Sequence, residues 1–333
     1  MDQEKIMPLR ITTFNCENLF GRYRILDQPP AGEIKNFEKL LQIPDVVALA
    51  PGRSGKIKPA AISHEQRVTT GNAILGANPH ILAVQEVENL ATLRIFNSKY
   101  MKDAFNRILL IDGNDARGID VGFLIRKDVK AAILAIRTHV DDDKDGGFLP
   151  KSNRLDTRVT GQTVFSRDCL EVDVDVKGTI LTFLVNHFKA QDRNPNTPAR
   201  RKRQAAKVAR LARAAHDAGK NPVVLGDLNI DTEQADYDGS LDSLVNLSIL
   251  HDPFAQLGPS NRWTHFFSSK KSVSRLDYIL VDDRLKTKVL GVEIFRRGLS
   301  PKATQFTGPR LPSMQGNDLE ASDHCPTTVV LSL

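Results

Sequence analysis

Two runs in this chain, "TILTFLV" (179–185) and "PVVLG" (222–226), are apolar at nearly every position. A strand with one wet face alternates apolar and polar residues. A strand that does not alternate must be covered on both faces, so these two belong at the centre of a sheet with a layer on each side. Seven more runs read as strands from their Val, Ile, Phe and Thr content: "LRITTF", "HILAVQ", "RILLI", "VGFLI", "LEVDVDV", "DYILV" and "TTVVLSL". Of these, "LEVDVDV" alternates strictly and is expected to be half exposed.

Helical pattern falls between the strands. Ser63 can cap a helix running to about Gly76, and Asn89 opens a short one to about Asn97. The clearest is "PARRKRQAAKVARLARAAHDAG", with Pro198 where helices start and Gly219 where they stop. Ala205, Val208, Ala212 and Ala215 form one face, and Arg200, Arg203, Lys207, Arg210 and Arg213 the other. That basic stripe reads as the solvated side of an amphipathic helix.

With 41% hydrophobic and 26% charged residues over 333 positions, the chain can bury a large core. No internal repeat or linker divides it, so one domain is expected over 9–333, with 1–8 as a tail. Residues 27–60 and 137–157 read as loop insertions. The second contains "DDDKDGG", the start of a calcium loop, but Ser152 stands where a closing Glu is needed, which leaves Ca²⁺ a minor option. Cys16, Cys169 and Cys325 form no CxxC pair, and their odd number argues against a disulfide framework. No apolar run approaches membrane-span length, and "MDQEKIMPLR" lacks a signal peptide's apolar stretch. A cytoplasmic protein or a trimmed, mature secreted form would both read this way. The net charge of +6 suits a polyanionic substrate.

The chemistry lies at strand edges. "LRITTF" ends at Asn15, "HILAVQ" at Glu86, "TILTFLV" at Asn186–His187 and "PVVLG" at Asp227. Three strands begin just after such a group: Asp120, Asp277 and Asp323–His324. If the ending strands run antiparallel to the beginning ones, all these groups gather at one edge, open to solvent yet rigidly held. Glu86 with Asn15 and Asp323 could hold a hard divalent cation through oxygen. His187 and His324 could be oriented by Asp120 and Asp277 respectively. Asp227 would orient or deprotonate a water, with Asn229 on the same side of an extended segment. Such a set suits cleavage of a phosphorus–oxygen bond. No serine elbow, P-loop or HExxH motif supports another chemistry.

In order along the chain, "TTFNCENLF", "AVQEVEN", "GIDVGFLI", "VNHFKA", "VLGDLN", "RLDYILV" and "SDHCP" resemble the endonuclease/exonuclease/phosphatase superfamily. Its members include deoxyribonuclease I, apurinic endonucleases, neutral sphingomyelinases and inositol polyphosphate phosphatases. The resemblance runs from Ile11 to the last strand, and "QEVEN", "NHFKA" and "RKRQA" look most like a bacterial branch that includes secreted nucleases. It implies a four-layer αββα sandwich, two mixed sheets flanked by helices, and a phosphoesterase dependent on Mg²⁺ or Mn²⁺. Carried over, Glu86 is the main metal ligand, helped by Asn15 and Asp323. Asp227 and Asn229 handle water and phosphate, and His324 pairs with Asp277. Asn186 and His187 match the family's strand end, and Asp120 a more variable position. Glu17 stands where apurinic endonucleases have an Asp. Arg117 of "RGIDVGFLI" joins Asn229, Asn186 and His187 as candidates for holding substrate.

The expected function is therefore a metal-dependent phosphodiesterase acting on DNA or RNA, a monomer with nucleic acid as its partner. The alternatives are a phosphoesterase for a phospholipid or inositol phosphate, and a scaffold without catalysis.

Overall fold

A computed structural model of the chain describes residues 8–19, 23–26, 58–61, 63–115, 118–142, 163–192, 194–314 and 319–333. Most of both expected insertions, Ser152 and Arg117 lie outside the described residues.

Two six-stranded sheets stack face to face. The first contains β1 (Leu9–Leu19), β4 (Ile81–Val87), β5 (Phe105–Leu110), β6 (Asp120–Arg126), β15 (Val289–Ile294) and β16 (Thr327–Leu331). Its order is β15-β16-β1-β4-β6-β5. The second contains β7 (Ala131–Arg137), β8 (Leu170–Val176), β9 (Thr179–His187), β10 (Asn221–Asp227), β11 (Leu250–His251) and β14 (Asp277–Asp282), in the order β11-β14-β10-β9-β8-β7. The two sheets repeat one pattern. In each, the two central strands are parallel, β1 with β4 and β9 with β10, and every other pairing is antiparallel. Two small ribbons complete the set: β2 (Tyr23–Leu26) with β3 (Lys58–Ala61), and β12 (His265–Phe267) with β13 (Ser272–Ser274).

Alternation along the central strands sorts side chains into layers. Ile11, Ile81, Ala83, Leu181, Phe183, Val185, Val223 and Leu225 fill the space between the sheets. Their neighbours point outward to helices. Phe14, Leu82 and Val84 meet Ala73 and Ile74 of α1 (His64–Ala77), and Leu93 and Phe96 of α2 (Leu90–Tyr100). Leu184 and Val224 meet Ala205, Val208 and Ala212 of α3 (Thr197–Asp217). The result is the αββα sandwich, and the continuous apolar runs are the strands covered on both sides.

Local chemistry sets the helix ends. Ser63 and Gln66 form a capping box on α1, Asn89 caps α2, and Gly219, with φ +77°, follows α3. Of the expected solvated face of α3, Arg203 and Arg210 are exposed, Arg200 and Arg213 are half-buried, and Lys207 bends to Asp142 at 2.6 Å. The expectation for "LEVDVDV" needs correcting: its acidic face is buried. Glu171 and Asp173 are neutralised by Arg137, and Asp173 also by Lys220 at 2.8 Å, while the Thr182 hydroxyl donates to Asp173 at 2.7 Å. Paired and hydrogen-bonded carboxylates can be buried where lone ones cannot. Among the described residues, no helix is long and apolar enough to cross a membrane.

Candidate active site

The parallel centres end at one place. Asn15, where the regular register of β1 with β4 breaks, donates from Nδ2 to Asp227 Oδ2 of the other sheet at 3.0 Å, and to Glu86 Oε1 at 3.4 Å. His187 Nε2 lies 3.5 Å from Asp227 Oδ2 and 3.7 Å from Glu86 Oε1. The antiparallel neighbours β14 and β16 begin here, so Asp277 and Asp323–His324 join from the opposite chain direction. All of these groups except Asp277 border a cleft of about 510 Å³.

Backbone irregularity aims several of them. Gln85 pairs with Val121 and Val87 with Asp120, so Glu86 is the unpaired residue of a bulge, with φ +62°. A bulge re-aims a side chain that regular pleating would send elsewhere. Asn229 has φ +58° and Glu17 φ +47°. Left-handed backbone in non-glycine residues costs on the order of 1–3 kcal/mol each and concentrates at functional sites. Asn229 therefore sits in a turn, not an extended segment. Its N–H donates to Asp227 Oδ1 at 2.8 Å, and its Nδ2 to Asp227 Oδ2 at 2.9 Å. The glycine of "GDLN" is also demanded. At φ +135°, a Cβ on Gly226 would stand 1.9 Å from the Asn186 carbonyl oxygen of β9.

Asp227 is 1% exposed. Burial raises its pKa to about 7, against the lowering effects of nearby His324 and the amide donors. His324 is fixed from behind. Its Nδ1 meets Asp277 Oδ2 at 2.8 Å, and the Thr264 hydroxyl donates to that same oxygen at 2.7 Å. Thr264 in turn accepts the N–H groups of Leu276 and Asp277, both at 3.1 Å. With Nδ1 committed, Nε2 faces the cleft, 3.9 Å from both Asp227 Oδ2 and Asp323 Oδ1. Burial would lower the imidazole pKa, but Asp277 and Asp227 outweigh it and hold His324 well above its ordinary value. The Ser322 hydroxyl donates to the Asn15 carbonyl at 2.7 Å and accepts the His324 N–H at 3.0 Å, tying the two strand ends together. Asp323 N–H donates to Glu17 Oε2 at 3.3 Å.

Not every candidate reaches the cleft. Asn186 is fully buried, and its Nδ2 donates to the Leu184 carbonyl at 2.8 Å. Asp120 is at the same strand edge, but its Oδ1 accepts Gly113 N–H at 2.7 Å, and burial raises its pKa to about 7. Asp277 acts from behind His324 and is itself fully buried. Among the lining residues that went unnoticed in the sequence are Arg167, His265, Phe267 and Lys270. Arg167 donates to the Phe188 carbonyl at 3.3 Å, which Asn229 Nδ2 also reaches at 3.1 Å. The other three sit on β12 and its turn to β13, strands of three residues each, too short to show a period.

Glu86, Asp227, Asp323 and Glu17 line one cleft with Asn15. Such an oxygen-rich set of concentrated negative charge fits a hard divalent cation, with few protein ligands and room for water.

The model of the endonuclease/exonuclease/phosphatase family matches residues 13–324. No curated protein matches the sequence. Among solved structures, an endonuclease/exonuclease/phosphatase family protein from Bacteroides thetaiotaomicron has TM-score 0.59 at 14% identity, covering 98% of each chain. The mannosyl-6-phosphatase of the same organism has TM-score 0.59 at 13% identity, over 97% of this chain and 99% of that one. TDP2 of D. rerio, in complex with a single-strand DNA product, has TM-score 0.56 at 15% identity, over 98% and 99%. At these identities the likeness speaks for the shared fold.

Proposed function

Since the chain belongs to the endonuclease/exonuclease/phosphatase family, we propose that it is a divalent-metal-dependent phosphodiesterase that hydrolyses nucleic acid. The observation that carries this reading is the meeting of His187 and His324 within 4 Å of Asp227 Oδ2, in a cleft lined with carboxylates. Glu86, with Asn15 and Asp323, is the set that would hold Mg²⁺ or Mn²⁺. When bound, the ion polarises a phosphoryl oxygen and offsets its charge.

The chain's own groups divide the remaining work. Asp227, with a pKa near neutrality, orients a water and takes its proton. The amides of Asn15 and Asn229 hold its Oδ2, and the Asn229 N–H holds its Oδ1, so the carboxylate cannot rotate. His324, kept cationic by Asp277, donates from Nε2 to a phosphoryl oxygen as charge develops there. His187 donates from Nε2 on the other side. Lys270 Nζ stands 5.5 Å from the Phe267 ring centre, and that ring is 42% exposed at the cleft. An aromatic face beside a cation suits a stacked base and its phosphate, and the TDP2 structure with a single-strand DNA product supports that class of substrate.

The test is incubation of purified protein with plasmid, single-stranded DNA and RNA in Mg²⁺, Mn²⁺ or EDTA. Cleavage that EDTA abolishes is expected. If no nucleic acid is cut while phospholipid vesicles or inositol phosphates are turned over, the substrate assignment falls and the family chemistry stands.

A further inference from the structure

A second donor set shares the cleft. His265, Asp323 and His324 each present a ligand atom, all within 4.8 Å of one another. His265 Nε2 lies 3.5 Å from Asp323 Oδ2, and His324 Nε2 lies 3.9 Å from Asp323 Oδ1. Two donors bound at about 2.1 Å around a tetrahedral ion stand about 3.4 Å apart. The first pair already meets that spacing, while the second is measured to the other carboxylate oxygen, so serving both histidines needs a turn of the Asp323 carboxylate with a shift of about half an ångström. Asp323, with a side chain 34% exposed, has room to make it.

Both imidazoles are backed as metal ligands usually are. A ligating histidine commonly gives its other nitrogen to a hydrogen-bond partner that fixes tautomer and ring plane. His324 has Asp277 behind Nδ1, and His265 has Ser274 Oγ behind Nδ1 at 3.1 Å. The backbones are clamped too. His265 and His324 form a bridge pair, Phe266 N–H donates to the Asp323 carbonyl at 2.9 Å, and Cys325 N–H donates to the Thr264 carbonyl at 2.7 Å. The rings rest 4.7 Å apart. All three ligands line the cleft, so the remaining coordination positions face solvent.

We propose that His265, His324 and Asp323 form a second divalent-cation site, which shares Asp323 with the oxygen set around Glu86 and is selective for imidazole-binding transition ions such as Zn²⁺ over Mg²⁺. Two nitrogens and one carboxylate suit Zn²⁺, whereas Mg²⁺ prefers the oxygen donors around Glu86. The other groupings are poorer. Asp227 and Asp277 with His324 are buried, and Asp282 beside His216 and Asp283 is already bound by Arg284 through Nε at 2.8 Å and Nη2 at 2.9 Å. An ion on His324 Nε2 removes that nitrogen from phosphate, so Zn²⁺ is expected to inhibit where Mg²⁺ activates.

Binding is read without substrate, so the site is decided even if the protein hydrolyses no nucleic acid. Zn²⁺ is titrated calorimetrically into the full chain in excess millimolar Mg²⁺, and the loaded protein is studied by X-ray absorption. Zn²⁺ that resists Mg²⁺ is expected, with two imidazole nitrogens in its shell. His265→Ala should weaken that binding at least tenfold and Ser274→Ala several-fold, while His216→Ala and Glu86→Gln retain it. Unchanged binding in His265→Ala, loss in His216→Ala, or fewer than two imidazoles around the ion overturns the site. The absorption experiment uses unmutated protein, so a variant that fails to fold does not shield the proposal.

Discussion

At the scale of single residues, the groups proposed to hold a metal are separate from those proposed to react. Glu86 projects from a bulge towards the oxygen-rich set, whereas His324 is tethered through Asp277 to Thr264. Glu86→Gln should therefore weaken Mg²⁺ binding and turnover together. His324→Ala should lower kcat by a factor on the order of 10² or more, with Mg²⁺ binding close to normal. Calorimetry with Mg²⁺ beside steady-state kinetics separates the two, and equal loss of metal binding in both variants would contradict the division. Much of this was legible because the polar groups stand at the ends of apolar runs. What was not legible is orientation. Successive residues of a strand face opposite sides, so of Asn186 and His187 only His187 lines the cleft. Glu86's left-handed backbone and the turn that folds Asn229 back on Asp227 leave no trace in a one-dimensional pattern.

Among elements, the nine strands read from composition are all present, while β7, β11, β15 and the ribbon strands were missed. β7 and β15 are edge strands, and "AAILAIR" and "VLGVEI" carry Ala or Gly where a strand signal needs β-branched residues. The contact between β9 and β10 is the most demanding, because Gly226 lets the two strand ends approach beside Asp227. Gly226→Ala should destabilise the fold by more than about 3 kcal/mol, measured by urea unfolding, since the clashing atom is backbone and cannot swing aside. A second element-level effect concerns His139, just past β7. It meets Asp142 at 3.0 Å and Glu171 of β8 at 2.9 Å. Burial opposes its charge, but those carboxylates raise its pKa from 6.5 to about 9. A raised folded-state value stabilises fully below about pH 6.5, and the stabilisation is lost as pH rises through about 9. The unfolding free-energy gap between wild type and His139→Gln should be widest near pH 6 and narrow above pH 9. A gap independent of pH would show that the histidine is not charged in the fold.

For the whole molecule, the net charge of +6 matters mainly for the partner. If the substrate is a nucleic acid, its KM should rise steeply with salt, with a log–log slope near 0.7 for each phosphate neutralised on a single strand. A flat salt profile, with activity intact, would point to a substrate with little charge beyond the scissile phosphate. The largest scale also explains why so many separated motifs were needed to read the site: each sheet contributes both strand ends and strand beginnings, and β1 pairs directly with β16. That pairing sets a timetable. Thr13 cannot meet Thr327, and Ser322 cannot bond the Asn15 carbonyl, until translation has delivered the start of β16. Because domains fold as units and distant pairings form late, a growing chain carries every earlier motif without a working centre. The cleft therefore closes around its polar groups only after the chain has been made through the strand that carries Thr327.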